Sequence, residues 1–186
     1  MRILEFETLL HQTVRNENPD KVESDGPFPV SNIKSAYLGS GYYFWDDHID
    51  LAHWWGENHC NNDYIVCEAN FRIEKKDFCD LVGSRQDQEY MIQLLDKLNA
   101  NNLNLGQFIE LLKDLESRPQ QKGIFNFKAI RAVEAASKGY PEMIVKFSHR
   151  TTGITSLTPK ILVCLIRKDP EILKNFKIVF PEEFTN

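Results

Sequence analysis

A glycine turn followed by a run of aromatic residues most constrains this chain of 186 residues: Gly39-Ser40-Gly41-Tyr42-Tyr43-Phe44-Trp45. Glycine adopts backbone angles that other residues avoid, so a tight turn is expected here. The aromatic residues favour a short strand, and Asp46 or Asp47 is placed to cap a helix after it. A turn that delivers aromatic side chains from a strand builds either part of a core or a flat surface for a planar ring.

The same stretch resembles a motif of the ADP-ribosyltransferases, in the branch of diphtheria toxin and the poly(ADP-ribose) polymerases. Gly39-Ser40-Gly41-Tyr42-Tyr43-Phe44, with Ala52 eight residues after Phe44, is similar to that family's Gly-x-Gly-x-Tyr-Phe…Ala segment. Upstream, Leu10-His11-Gln12-Thr13 is similar to a segment of the family's first strand, in which His is followed by a small residue and then Thr. The resemblance implies an ADP-ribosyltransferase-like fold with NAD as the substrate.

The resemblance also implies a role for each matching residue. His11 would hydrogen-bond the ribose hydroxyls of NAD, Thr13 would support the adenosine side, and Tyr43 would stack on the nicotinamide ring. Gly39 and Gly41 would let the backbone lie close to the ligand. Judged without the family, a single His at a strand end is more often structural, and packing in the core explains Tyr43 equally well.

The chain departs from the family pattern at the catalytic glutamate. When Pro159-Lys160-Ile161-Leu162-Val163-Cys164 is aligned with the family's last motif, Thr152, or a neighbour such as Thr151, stands where Glu is expected. Residues 149–167 contain no Asp or Glu. Glu134 and Glu142 are the acidic residues that remain to supply the charge from elsewhere. Transfer needs such a carboxylate because a positive charge develops on the ribose as the glycosidic bond breaks.

The remaining pattern predicts a single α+β domain over residues 1–186 with three to four helices. The resemblance implies that its β core is mostly antiparallel and split. Residues 15–35 are rich in Asn, Asp and Pro, which predicts a long loop that could close over the site. The predicted strands are 3–14, 42–45, 63–73, 143–147, 161–166 and 175–180. Three helices are predicted to begin after Asp46 or Asp47, after Ser84 and after Asn104. A fourth is predicted over Phe127–Lys138 and ends at Gly139.

Composition indicates the compartment and the partners. No apolar run approaches the length of a membrane span and the first residues lack the features of a secretory signal, so a cytoplasmic protein without a membrane partner is expected. Four scattered cysteines predict reduced thiols and no metal site. Residues 1–117 carry 10 basic and 21 acidic side chains, whereas residues 118–186 carry 12 basic and 6 acidic ones. The basic C-terminal third either attracts a polyanion or is a solvated surface.

Three functional hypotheses stay open. The first is an NAD-binding ADP-ribosyltransferase-like protein that transfers a single ADP-ribose to a macromolecular acceptor, either a protein or a nucleic acid. The second is a catalytically inactive module that binds NAD or another protein. The third is a nucleic-acid-binding domain that uses the basic C-terminal third. Under the first hypothesis the catalytic candidates are His11, Tyr43, Glu134 and Glu142, and the NAD-binding residues are His11, Thr13, Gly39, Gly41, Tyr43 and Thr152.

Overall fold

The structure is a computed structural model that describes residues 4–16, 18–30, 36–134, 140, 142–146 and 152–185. These residues form nine strands and four α-helices. The strands are β1 Glu5–Arg15, β2 Tyr42–Asp46, β3 Tyr64–Glu74, β4 Phe78–Asp80, β5 Ala129–Glu134, β6 Ile144–Lys146, β7 Ile154–Ser156, β8 Lys160–Leu165 and β9 Leu173–Phe180. The helices are α1 Pro19–Asp25, α2 Ile49–His59, α3 Arg85–Lys97 and α4 Leu105–Ser117.

Seven of the strands form one sheet in the order β4-β5-β8-β2-β1-β3-β9. Strands β4 and β5 are parallel, and the other neighbours in the sheet are antiparallel. Strands β6 and β7 form a separate hairpin. The chain is therefore one α+β domain with a mostly antiparallel sheet, which confirms the predicted fold class at this level. Among the described residues, no helix has the length and apolar character that crossing a membrane requires.

Helices α2, α3 and α4 cover one face of this sheet, which we call the helix face. Side chains alternate between the two faces along each strand, so each face has its own buried cluster. The cluster on the helix face joins sheet and helix residues, among them Trp45, Val66, Ile130, Leu162, Ala52, Met91, Phe108 and Leu112. The cluster on the opposite face includes Leu10, Phe44, Phe71, Phe78 and Val163.

The predicted helix over Phe127–Lys138 is wrong, because Ala129–Glu134 is strand β5. The apolar run of β8 lies inside the sheet, and both of its edges carry backbone groups that need hydrogen-bond partners. Strand β5 supplies those partners along one edge, from Ala129 opposite Leu165 to Glu134 opposite Lys160. Pairing in the sheet thus overrides the helical propensity of this segment. Residues 135–139, including the expected stop at Gly139, lie outside the described residues.

The structure confirms two predicted helix starts and corrects a third. At α4 the side chain of Asn104 accepts from the backbone N–H of Gln107, whose side chain accepts from the backbone N–H of Asn104 in return. Helix α3 follows the predicted cap Ser84. Neither Asp46 nor Asp47 caps α2. The helix begins after His48, which makes no side-chain cap hydrogen bond, and Asp46 is instead the last residue of β2.

The segment predicted as a long loop contains helix α1. Its buried residue Val22 packs with Ile65, Cys67 and Ile178. Ile65 and Cys67 flank Val66 on β3 and therefore point away from the helix face. Helix α1 thus covers the opposite side of the sheet, and residues 31–35 lie outside the described residues.

Strands β1 and β2 are joined by two pairs in register, Leu10 with Asp46 and His11 with Trp45. By contrast, β1 pairs with β3 along all 11 of its residues, and β2 pairs with β8 from Tyr42 to Trp45. The two strands therefore separate within the sheet directly after the pair of His11 and Trp45.

The side-chain amide of Gln12 fills the gap between the separating strands. Its Nε2 donates to the carbonyl of Phe28 at 2.9 Å and to that of Tyr43 at 3.1 Å, and its Oε1 accepts from the N–H of Phe28 at 2.8 Å. Gln12 is buried, with 5% of its surface exposed. A single side chain thus satisfies backbone groups that a neighbouring strand would otherwise satisfy.

We expect Gln12→Ala to lower the free energy of unfolding by about 1–3 kcal/mol, because it leaves buried backbone groups of two segments without partners. Urea unfolding followed by circular dichroism measures this change. The control is Gln93→Ala on α3, an exposed position, where a change within about 0.5 kcal/mol is expected. Equal effects of the two substitutions would contradict a bridging role for Gln12.

Candidate functional site

Helix α4 holds the glycine turn in place. The backbone N–H and the hydroxyl of Ser40 both donate to Glu110 Oε1, at 2.5 and 2.8 Å, and Lys113 Nζ donates to the carbonyl of Ser40 at 2.5 Å. Gly39 has a φ of 75°, and a Cβ there would lie 2.4 Å from Glu110 Oε1. Burial acts to raise the pKa of Glu110, but the hydrogen bonds from Lys113 and Ser40 lower it overall.

Tyr43 is tied into the same turn. Its hydroxyl donates to the carbonyl of Gly39 at 2.6 Å and accepts from the N–H of Leu38 at 2.6 Å. Its half-buried ring packs against the core of the helix face, and this burial raises the pKa of Tyr43. A Cβ at Gly41 would lie 2.5 Å from Cys164 Sγ. Close packing within the protein therefore accounts for both glycines and for the Tyr43 hydroxyl.

His11 lies on the helix face of β1 and is buried, with 4% of its surface exposed. Its Nε2 is 3.5 Å from Glu68 Oε2 on β3, whose other carboxylate oxygen is 3.6 Å from Lys177 Nζ on β9. The Nδ1 of His11 has no hydrogen-bond partner among the described residues. Burial lowers the pKa of His11, against the opposing effect of the Glu68 carboxylate.

Thr13 and Thr152 occupy different parts of the structure. Thr13 follows His11 on β1, and its hydroxyl donates to the carbonyl of Ala52 at 2.7 Å, which ties β1 to α2. Thr152 is exposed and precedes β7 in the separate hairpin. It does not belong to the seven-stranded sheet that carries His11 and Tyr43, so these NAD-binding candidates do not share one element.

Glu142 precedes β6, the other strand of that hairpin. Its backbone N–H donates to the carbonyl of Tyr140 at 2.9 Å, and its Oε1 is buried without a hydrogen-bond partner among the described residues. The hydroxyl of Tyr140 lies 3.3 Å from His48 Nε2 at the start of α2. Tyr140 also makes an edge contact with the ring of Trp54, at 5.7 Å between centroids.

A cleft of about 350 Å³ lies on the helix face beside these residues. One wall is formed by Trp45, the register partner of His11, and another by Trp54 and Trp55 of α2. These are the three tryptophans of the chain. Tyr37, half exposed, lines the cleft before the glycine turn. The wall is therefore built of rings from a strand, a helix and a turn.

The aromatic side chains of α2 pack against one another. Trp55 stacks on His59 with centroids 3.9 Å apart and planes at 11°, and Trp54 meets Trp55 edge-on at 6.3 Å. Because residues three and four apart on a helix are neighbours, the spacing of Trp55 and His59 produces this stack. Fixed aromatic faces of this kind are suited to stacking on a planar ligand.

An ion pair closes the polar side of the cleft. Lys160 begins β8 and Glu134 ends β5, and the two are opposite each other in register with Lys160 Nζ 3.2 Å from Glu134 Oε2. Lys160 is 2% exposed, and its ammonium lies 5.1 Å from the centre of the Trp54 ring. Of the two predicted acidic candidates, Glu134 lines this cleft and Glu142 is not among its lining residues.

Sequence reasoning missed Trp54, Trp55 and Lys160 as site residues. The signal for Lys160 was a charged residue directly before a buried apolar run, and the signal for the tryptophans was their pairing on one short helix. All four cysteines are free. Within the described ranges, no group of three or more His, Cys, Asp or Glu side chains is arranged to hold a metal ion.

Scans of protein-family models, of curated proteins and of solved structures find no match to this chain. The geometry of the cleft and the resemblance of the sequence motifs are therefore the grounds for a functional proposal.

We expect the stability of the protein to fall as the pH is lowered from about 7 to about 5, in part because of His11. Burial lowers the pKa of His11 below the ordinary value of 6.5, so the unfolded chain takes up the proton more readily than the folded chain does. The contribution of neutral His11 is present above pH 6.5 and is lost as the pH falls through the folded-state pKa. Urea midpoints across this range should fall less steeply in His11→Gln than in the wild type, and parallel curves would contradict the assignment.

Proposed function

We propose that this chain is an NAD-binding, ADP-ribosyltransferase-like protein whose ligand enters the aromatic cleft on the helix face. The observation that carries the proposal is that Trp45, Glu134 and Lys160 line one cleft and that Trp45 is the register partner of His11, which is itself buried and is not among the lining residues. The motif resemblance independently assigns His11 to NAD. The separation of β1 and β2 after two register pairs also supports the split core that the resemblance implies.

The cleft suits one half of a dinucleotide. Its volume of about 350 Å³ is at the lower end for small-molecule sites, so it holds one ring with its sugar and leaves the remainder outside. The rings of Trp54, Trp55 and Tyr37 offer stacking surfaces. His11 is the register partner of Trp45, its Nδ1 is buried without a hydrogen-bond partner among the described residues, and we propose this nitrogen as the partner of a ribose hydroxyl.

Transfer of ADP-ribose needs more than this binding. The bond between the ribose carbon and the nicotinamide nitrogen breaks, nicotinamide leaves with the electron pair, and an acceptor oxygen or nitrogen attacks the ribose carbon and loses its proton. A carboxylate stabilises the positive ribose in between. Glu134 is the carboxylate in the cleft, but Lys160 holds it at 3.2 Å and offsets its charge. We therefore propose slow transfer or none.

The inactive-module hypothesis gains support from the same ion pair, and it is our second candidate function. The nucleic-acid hypothesis gains less, because the basic residues of the C-terminal third are widely paired with acidic ones. The ion pairs among the described residues are Arg118 with Asp114, Lys128 with Asp77 and Asp169, Arg131 with Asp46 and Asp80, Lys160 with Glu134, Lys174 with Glu171, and Lys177 with Glu68.

We expect NAD to bind the wild-type protein and Trp54→Leu to weaken that binding at least about tenfold, because stacking on one aromatic ring contributes about 1–3 kcal/mol. Calorimetry measures the affinity. The matched control is Phe127→Leu, at an aromatic residue that packs with Phe125 and Tyr90 away from the cleft; it should leave NAD affinity unchanged. No detectable binding at millimolar NAD by the folded wild type would end the proposal.

Turnover of labelled NAD tests the catalytic half. We expect slow turnover or none in the wild type, and any residual turnover should disappear in Glu134→Gln, since losing one electrostatic contact typically costs about 10²–10³ in rate. Glu142→Gln should leave turnover unchanged, and Thr152→Glu should not raise it, because Thr152 is exposed beside the hairpin. Rapid wild-type turnover that survives Glu134→Gln would show that another group supplies the charge.

A further inference from the structure

The ammonium of Lys160 sets the charge of the cleft. It is enclosed, with 2% of the residue exposed, and it carries three N–H donors. Glu134 at 3.2 Å is its acidic partner among the described residues, and the ring face of Trp54 lies 5.1 Å away. Because Lys160 lines the cleft and Glu134 is its ion-pair partner among the described residues, we expect an N–H of the ammonium to donate to a ligand that enters the cleft.

The same arrangement disfavours a ligand that brings its own positive charge. A cation is attracted by the face of a tryptophan ring and by a carboxylate. Here both of those groups, Trp54 and Glu134, already hold the ammonium of Lys160. A second cation would meet a buried like charge, whereas a neutral ring with an anionic substituent would gain both stacking and an ion pair.

We infer that the cleft binds the adenosine-phosphate half of NAD, with the neutral adenine on the aromatic wall and a phosphate oxygen accepting from Lys160. The cationic nicotinamide ring is selected against. The inference rests on the proposed function and names the part of the ligand that the site recognises.

Two fragments separate the halves of the ligand: ADP-ribose, which is anionic and lacks nicotinamide, and 1-methylnicotinamide, which is a cationic ring. All three tryptophans line the cleft, so quenching of tryptophan fluorescence reports its occupancy. We expect ADP-ribose to bind the wild type within about threefold of NAD, and 1-methylnicotinamide to bind at least about tenfold more weakly than ADP-ribose.

Substituting Lys160 should change the affinities for ADP-ribose and for 1-methylnicotinamide in opposite directions. Lys160→Met keeps most of the length of the side chain but removes the charge. It should therefore weaken the binding of ADP-ribose about tenfold and strengthen the binding of 1-methylnicotinamide. Glu134→Gln leaves the ammonium of Lys160 without its acidic partner and should strengthen the binding of ADP-ribose. Lys128→Met, at a half-exposed lysine paired with Asp77 outside the cleft, is the matched control and should change neither affinity.

The outcomes distinguish this inference from the proposed function. If neither NAD nor ADP-ribose binds, the proposed function fails and the inference fails with it. If NAD binds but 1-methylnicotinamide competes better than ADP-ribose, or if Glu134→Gln and Lys160→Met leave both affinities unchanged, the inference alone is overturned. Circular dichroism melting establishes that each variant is folded, and if Lys160→Met does not fold, Glu134→Gln decides the question.

Discussion

The buried amide of Gln12 is the interaction on which the arrangement of the site depends. A sheet cannot open inside a protein unless the freed backbone groups find other partners. Gln12 provides them for Phe28 and Tyr43, and β1 and β2 separate at that point. Just past Gln12, the hydroxyl of Thr13 reaches the carbonyl of Ala52 and seats α2 on β1. The aromatic rings of α2 are positioned as a consequence.

A charged network on the opposite face links β5, which carries Glu134, to β2 and β4. Arg131 of β5 contacts Asp46 of β2 at 2.6 Å and Asp80 of β4 at 3.3 Å, and Thr8 donates to Asp46 at 2.7 Å. The guanidinium also lies 5.0 Å from the centre of the Phe6 ring. These contacts link β1, β2, β4 and β5 on the face of the sheet opposite the helix face. Glu134 at the end of β5 is paired in register with Lys160 of β8 and points to the other face of the sheet.

Local sequence signals account for much of the fold but for less of the site. The alternation in Tyr64–Glu74 and the capping pair of Asn104 and Gln107 are local patterns, and both elements form as predicted. The segment Ala129–Glu134 was misread because its strand state depends on pairing with β8, which no window of sequence contains. The cleft is harder still, since it unites rings of a strand, a helix and a turn with an ion pair between two strand ends.

The environments of Lys160 and Glu134 differ in a way that bears on how such a site can change over generations. Glu134 is about one third exposed, so water can solvate it if its partner is lost, whereas Lys160 is enclosed. A buried charge without a partner is far more costly than one at the surface. Substitution of the lysine first is therefore the accessible mutational route, and it passes through a folded intermediate with a free carboxylate in an aromatic cleft. The reverse order passes through an isolated buried ammonium, so the two positions are expected to change in a fixed sequence.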